Sequence, residues 1–452
     1  MKSGVKIRSR VVEALVDVAK GPVGSQEALN GVLQGSGLSP QDRALCTEIL
    51  YGSLRYGPAL LKAVDNRLRK GIASTDPIIV WTLVAANYQL RVLERIPDHA
   101  VVHTAVAVAR HLVGPHAGKL VNGVLRTELR AMESGPRTAP APESCYPGYI
   151  RRAFAGLGDV NLSVAAKAYL HGAPHTVRGR GRCFSDVSTL VEALEATGVK
   201  GAREGRVPGS VILPRGGGAV GTEAGTTDWI PQDEASWAVA QLAIDMAKEF
   251  GPSCRVLDAC AGRGVKTDAL RHGLGEEVSI TATDIGSRKL KDLAELVPNV
   301  TTRSVDWTAT TPFEEGSFDF ILLDSPCSGF GTLRRRPEIR LISRRRDLDV
   351  LMEMQQKVLA NTAKTLAPGG VLLFAVCTFS PGEAGEAISR FLASEPGADF
   401  EPVGLPSCPV GSWEQADGTW LTFDDPEVVS DPADTFFAGA IRRRQPQGSS
   451  AS

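Results

Sequence analysis

Residues 318–323 read Phe-Asp-Phe-Ile-Leu-Leu and run directly into Asp324. As a strand, this apolar run has to be covered on both faces, which is the position of a central strand in a parallel sheet. It is followed by Ser325-Pro326-Cys327, a glycine-spaced loop, and an arginine cluster at Arg334, Arg335, Arg336 and Arg340. Ligands of open α/β sheets bind outside the carboxyl ends of the strands. An acid and a thiol delivered there, beside guanidiniums suited to phosphate, point to chemistry on a polyanion. The plainer alternative is a Pro-Cys turn followed by a solvated basic helix.

From Asp228 onward the pattern alternates between strand and helix. Helices are expected at 232–250, 266–272, 287–296, 348–366 and 383–392. Strands are expected at 255–259, 278–284, 301–305, 318–323 and 370–377, with a late one at 435–441. This order predicts a doubly wound sheet with one appended strand. Residues 1 to about 130 have apolar positions at helical spacing throughout, in 9–19, 42–56, 59–68, 77–93, 99–112 and 119–129. Pro77 and Pro97 suit first-turn positions, and Gly57-Pro58 and Gly71 punctuate. His99 and His103 could share a helix face, but no acid or thiol completes a site there, so no metal is expected.

Residues 131–145 have linker composition and 216–227 form a glycine-rich connection. Between them lies a small α/β segment, with helices near 149–157 and 160–170, a strand within 175–184, and a helix over 185–198 capped by Ser185. Arg178, Arg180 and Arg182 alternate, so a strand would carry three guanidiniums on one face. They either grip a phosphate backbone or line a solvated edge.

A length of 452 residues predicts about three domains. The formal net charge of −1 does not mark a nucleic-acid binder, so local basic patches would have to hold any phosphate. Eight cysteines without a CxxC pair argue against zinc and against a disulfide framework. With no secretory segment and no apolar run of membrane-spanning length, a reduced, cytoplasmic protein is expected.

Residues 256–267, VLDACAGRGVKT, describe a strand, a glycine-bearing turn and a helix. The Walker pattern is absent, and Gly262 and Gly264 let the backbone approach a ligand. Asp284, closing the next strand, is placed for ribose hydroxyls by analogy with dinucleotide folds, and Asp306 for an adenine edge. Together they suggest an adenosine cofactor with no phosphate requirement. Cys377 ends a second apolar strand and Cys327 follows the first, so adjacent strands would bring both thiols beside the cofactor loop. Two thiols and an adenosine cofactor have a specific use. A thiolate added to carbon 6 of cytosine makes carbon 5 an enamine able to attack a sulfonium methyl; a base then removes the carbon-5 proton and elimination frees the enzyme.

These stretches resemble the RsmB (Sun/Nop) family of RNA cytosine-5 methyltransferases over nearly the whole chain. DSPCSGFGTLRRRPEIR is similar to the family's DAPCSGxGxxRRxPExR, and AVCTFSPGEAGE to its TCSxxPEENE. PDHAVVHTAV, KLVNGVLR and QDRALCTEILYGSLR resemble its NusB-like domain, and Gln232 to Ser236 its QDEAS stretch. The resemblance implies a multidomain chain: an all-α NusB-like domain over 1–135, a small α/β RNA-binding segment over 146–227, and an α/β Rossmann-like class I methyltransferase domain over 228–445. It makes Cys377 the nucleophile, Cys327 the thiol that assists release, and Asp324 the acid that contacts the base. S-adenosyl-L-methionine contacts fall to Cys260, Ala261, Gly262, Arg263, Gly264, Val265, Lys266, Asp284, Asp306 and Asp324. The implied partner is RNA, small-subunit ribosomal RNA foremost.

The chain departs from the family at three places. CAGRGVKT stands for CAAPGGKT, placing Arg263 and Val265 where the family has proline and glycine; VCT stands for TCS; and TVRGRGRCF stands for the usual LRVN strand. Two other functions fit parts of the pattern. The same fold could C-methylate tRNA or a small aromatic such as an indole, or the chain could be a non-catalytic RNA-binding antitermination factor.

Overall fold

A computed structural model describes residues 3–21, 23–34, 37–133, 138–184, 186–214, 228–309 and 311–446. The chain forms two compact units. One comprises Met1–Phe154, Asp159–Gly172 and Leu333–Arg344; the other comprises Ala155–Gly158, Ala173–Thr332 and Arg345–Ser452. Most of the linker expected over 131–145 is described, but residues 134–137 are not, nor is the glycine-rich connection over 216–227.

The first unit is helical. Its helices Ser3–Lys20, Pro40–Arg55, Gly57–Asp65, Pro77–Val92, Asp98–Leu112 and Pro115–Glu133 match the six apolar periodicities, and Ser25–Leu33 adds one that Asn30 and Gly31 obscure. Pro77–Val92 is apolar nearly all round and is buried from Ile79 to Leu90, as a helix at the centre of a bundle must be. Its polar members bond back to their own helix: Thr82 Oγ1 to the Ile78 carbonyl (2.7 Å), Asn87 to Leu83 (3.0 Å) and Gln89 to Ala85 (2.8 Å). Asp76 accepts the Ile78 amide at 2.8 Å and starts the helix.

Leu333–Arg344 belongs to this unit although its sequence neighbours on both sides do not. Arg340 is 1 % exposed and donates to the carbonyls of Arg55 (2.7 Å), Tyr169 (3.3 Å) and Leu333 (3.3 Å). Its guanidinium lies 4.6 Å from the centre of the Tyr146 ring. Arg334 is likewise buried, over Tyr169. The expectation that these two arginines face phosphate is therefore corrected: carbonyl and aromatic partners have taken them into the fold. Arg336 stays exposed.

The second unit begins with a four-stranded antiparallel sheet of β1 (His175–Gly179), β2 (Arg203–Glu204), β3 (Ser210–Leu213) and β4 (Trp229–Pro231), in the order β2-β3-β1-β4. β1 is shorter than expected because the chain turns into a single-turn helix at Gly181–Cys183. Arg178 is fully buried, with Nη2 2.6 Å from Asp268, and Arg180 reaches the other oxygen of that carboxylate at 2.7 Å. Of the two readings open for this alternation, neither describes Arg178 or Arg180, which neutralise a buried acid. The side chain of Arg182 lies outside the described residues, as does Ser185; Asp186 caps the helix Val187–Ala196 through the amides of Ser188 and Thr189.

The main sheet contains β5 (Arg255–Asp258), β6 (Ser279–Asp284), β7 (Thr301–Ser304), β8 (Phe318–Asp324), β9 (Leu366–Val376), β10 (Phe400–Val403), β11 (Trp420–Leu421) and β12 (Phe437–Arg443). Its order is β10-β12-β9-β8-β5-β6-β7, with β11 paired to β12. β5 to β9 are mutually parallel, while β12 runs antiparallel to β9 and to β10. The sequence pattern missed β10, which contains a proline, and β11, which is two residues long. β8 is covered on both faces as its composition demands. Phe320 and Leu322 join one apolar cluster, Ile321 and Leu323 the other, each such burial being worth about 1.5–3 kcal/mol.

Among the described residues no helix is long and apolar enough to cross a membrane. Replacing Arg178 by Ala leaves Asp268 with half its neutralisation in a dry site. The variant should lose about 3–5 kcal/mol in urea unfolding. Because the pair is sheltered, raising salt to molar levels should leave that difference in place.

Candidate active site

The winding of the main sheet reverses beside β5: β6 and β7 lie on one side, β8 and β9 on the other. That reversal opens a crevice at the carboxyl ends, and the glycine turn after β5 occupies it. Gly264 has φ +87°, and a Cβ there would stand 2.6 Å from Leu293 Cγ, so both conformation and packing call for glycine. A Cβ on Gly262 would meet nothing within 4 Å, which leaves that side of the turn open.

Asp284, at the end of β6, accepts the amides of Gly262 (3.1 Å) and Gly286 (2.7 Å), with Lys289 Nζ 3.3 Å away. Asp258, beneath the turn, is buried and accepts the Thr267 hydroxyl at 2.6 Å through Oδ2, while its Oδ1 has no hydrogen-bond partner. Burial pushes its pKa up to about 7 against the pull of Thr267. Burial also raises the Cys260 thiol, reinforced by the charges of Asp258, Asp284 and Asp324. Arg263 is exposed and pairs with Asp292 at 3.3 Å. Ala261 donates its amide to the Thr283 carbonyl, and Val265 begins the helix Val265–Leu274. Asp306 is exposed after β7, its carboxylate taking the amide and hydroxyl of Thr308, which lower its pKa. Among the described residues no hydrogen bond joins it to the turn.

β8 and β9 bring the remaining groups together. They pair in parallel with Asp324 opposite Ala375, and the Ser325 amide extends the ladder to the Ala375 carbonyl at 2.8 Å. The loop after β8 then folds back, with the Gly331 amide on the Cys377 carbonyl (3.0 Å) and the Thr435 amide on the Gly331 carbonyl (3.1 Å). A Cβ at Gly331 would lie 1.8 Å from the Thr435 oxygen, so only glycine passes there. The result sets Cys327 Sγ 3.4 Å from Cys377 Sγ, both half-buried and free. The contact with Cys377, then burial, holds the Cys327 thiol well above the ordinary thiol range. Lys266 Nζ lies 2.7 Å from Asp324 Oδ2 and 5.0 Å from the Phe436 ring. Burial opposes its charge, but Asp324 outweighs that and raises its pKa, with Cys377 adding to the effect.

Sequence reasoning overlooked Glu383. It is buried and accepts the Ser328 amide at 2.6 Å. Its signal was an acid six residues after Cys377, within the stretch already singled out.

This arrangement can be set beside known proteins. Residues 248–421 match the family described as 16S rRNA methyltransferase RsmB/F, and residues 5–130 the NusB family. The probable ribosomal RNA small subunit methyltransferase B of Bacillus subtilis (strain 168) is 30% identical over 420 residues, covering 88% of this chain and 90% of the relative. The chain belongs to the RsmB family. The ribosomal RNA small subunit methyltransferase B of Pseudomonas putida is 29% identical over 409 residues, 86% of this chain and 90% of its own. That of Xylella fastidiosa (strain 9a5c) is 30% identical over 382 residues, 81% and 87% respectively. The crystal structure of PH0851 shares the fold, with a TM-score of 0.79 at 20% identity over 98% of this chain and 99% of that one.

As an RsmB-family methyltransferase the protein uses S-adenosyl-L-methionine, and its crevice fits that cofactor. The glycine turn is open on one side, and the charges of three carboxylates converge on Cys260 within it. A sulfonium and an ammonium are the charges such a ring of acids favours. Among the described residues no group of three or more His, Cys, Asp or Glu side chains could hold a metal ion.

Asp258 makes stability depend on pH with a definite sign. Its folded pKa of about 7 lies above the ordinary 3.8, so the folded state holds the proton more tightly. The associated stability is fully present below pH 4 and is lost as pH rises through 7, up to about 4 kcal/mol in all. Asp258→Asn should remove this slope, seen as a variant unfolding midpoint that rises relative to that of the wild type between pH 4 and 7.

Proposed function

We propose that this RsmB-family protein methylates carbon 5 of cytosine in RNA, with small-subunit ribosomal RNA as substrate, through a covalent adduct on Cys377. The observation that carries this reading is the pair of free thiols 3.4 Å apart beyond two adjacent parallel strands. A methyltransferase acting on an already nucleophilic atom needs no thiol, whereas cytosine carbon 5 becomes reactive only after a nucleophile has added to carbon 6. The named relatives act on small-subunit ribosomal RNA, which supports the choice of substrate.

In this reading Cys377 Sγ forms the bond to carbon 6. Lys266, whose raised pKa owes part to Cys377, stands on that side of the site. Asp324, held by Lys266 at 2.7 Å, contacts the polar edge of the base and fixes its orientation. Bound S-adenosyl-L-methionine supplies an electrophilic methyl group. A base then takes the carbon-5 proton, and the electron pair left behind restores the 5,6 double bond and expels Cys377 Sγ as thiolate from carbon 6. Cys327, one sulfur contact away from Cys377, assists that release. Asp284, Lys266 and the turn from Cys260 to Val265 hold the cofactor, with Asp306 toward its adenine. Arg336 and other solvent-exposed cations of the helical unit would meet RNA phosphates. The helical unit and the small sheet serve as RNA-binding parts.

The two thiols give opposite signatures. Cys377→Ala should lose turnover and form no covalent complex with RNA. Cys327→Ala should also lose turnover yet accumulate bound to methylated RNA through Cys377, as a denaturant-resistant, nuclease-sensitive shift on a gel. The double variant should show no shift. A trapped complex in neither single variant, with RNA binding intact, would overturn the adduct chemistry.

Asp284→Ala removes a charged acceptor for the ribose hydroxyls, an interaction worth about 1.5–3 kcal/mol. Calorimetric titration should therefore show cofactor affinity reduced roughly ten- to hundredfold.

A further inference from the structure

Two thiols 3.4 Å apart are chemically alike, and only one can add to the base while the other keeps its proton. Glu383 lies on the short turn Pro381–Glu383 and has no part in the chemistry above. Its side chain is 0 % exposed. Oε1 accepts the Ser328 amide at 2.6 Å, the N–H of the peptide that joins Ser328 to Cys327. Oε2 has no hydrogen-bond partner. Ser328 Oγ and Thr378 Oγ1, each on the residue after a reactive cysteine, are 2.9 Å apart. The carboxyl is thus fastened against the loop of one thiol, with the loop of the other alongside and one oxygen unspent.

On the Cys377 side stands Lys266, paired with Asp324. On the Cys327 side stand Cys377 and Glu383. Among the described residues the hydroxyls of Ser328, Thr378 and Ser380 face Glu383 and oppose the effect of its burial, and the Cys327 thiol senses its charge. Glu383 is fastened to the amide that adjoins Cys327, and an anion beside a thiol favours its protonated form. We propose that Glu383 is a positioning residue that keeps the proton on Cys327 and so leaves Cys377 as the nucleophile. This rests on the cysteine-adduct reading and adds what that reading lacks, a reason for the division of roles. Burial raises the pKa of Glu383, so the bias is present above that elevated value and fades as pH falls through it.

The test is site-resolved alkylation of the full chain with iodoacetamide, read by mass spectrometry from pH 6 to pH 10. In the wild type Cys377 should label ahead of Cys327; equal rates overturn the proposal whatever any variant does. Glu383→Gln keeps an oxygen for the Ser328 amide but carries no charge. It should move the Cys327 profile about one pH unit lower, which is about tenfold faster labelling near neutrality, and cut turnover at least as much. Glu383→Asp should restore the wild-type order. A merely structural role would lower the melting temperature and leave the Cys327 profile unmoved, and that result also overturns the proposal. The trapped complex of Cys327→Ala is read separately. Its absence removes the adduct reading, whereas its presence together with an unmoved profile removes only Glu383.

Discussion

The parallel pairing of β8 with β9 is the constraint on which the site depends. Registering Asp324 against Ala375 means that two chain segments about fifty residues apart end side by side and turn outward at the same level. The placing of the candidate site residues then follows from short-range geometry. Asp324 lies at the strand end, Cys327 one Pro-Cys turn further, and Cys377 just past the neighbouring strand. A slip of one residue would send the alternating side chains of β8 to the wrong face of the sheet. The two apolar clusters that divide β8 between them therefore hold the register of the candidate site as well as the fold.

Charge in this protein is used inside as much as outside. Arg178 and Arg180 close on Asp268, Arg206 on Asp424 and Glu234, and Arg340 on three carbonyls and a tyrosine ring. Guanidinium suits such places because it is planar, weakly hydrated and able to donate in several directions at once. Near the paired thiols the pattern differs. Acids there are buried with an oxygen left over, as in Asp258 and Glu383, which keeps them sensitive to pH and to whatever binds beside them.

The departures at the cofactor turn have a structural counterpart. Arg263, where the family has proline, pairs with Asp292 on the helix Ser287–Leu296. An ion pair thus ties down a turn that a ring would have stiffened. The pair is exposed, so it contributes little to stability. The glycine that the turn cannot lose, Gly264, is retained.

The sequence by itself determined the class of each part of the chain and singled out the candidate site residues. Helical periodicity, the strand–helix alternation and the apolar run at 318–323 are local properties, and the helices and parallel strands follow them to within a few residues. The strands β10 and β11 escaped because a proline and a two-residue length give no periodicity to read. What only the tertiary structure decided is where charged side chains end. Arg178, Arg334 and Arg340 are indistinguishable in sequence from phosphate-binding arginines, and only their burial against Asp268, Tyr169 and Tyr146 separates them. Glu383 is the same lesson in reverse. An acid in a turn becomes an acceptor beside Cys327 only because pairing across fifty residues delivers the Ser328 amide to it. Backbone pattern is written in neighbours along the chain; the partner of a charge is chosen by whatever the fold brings within hydrogen-bond reach.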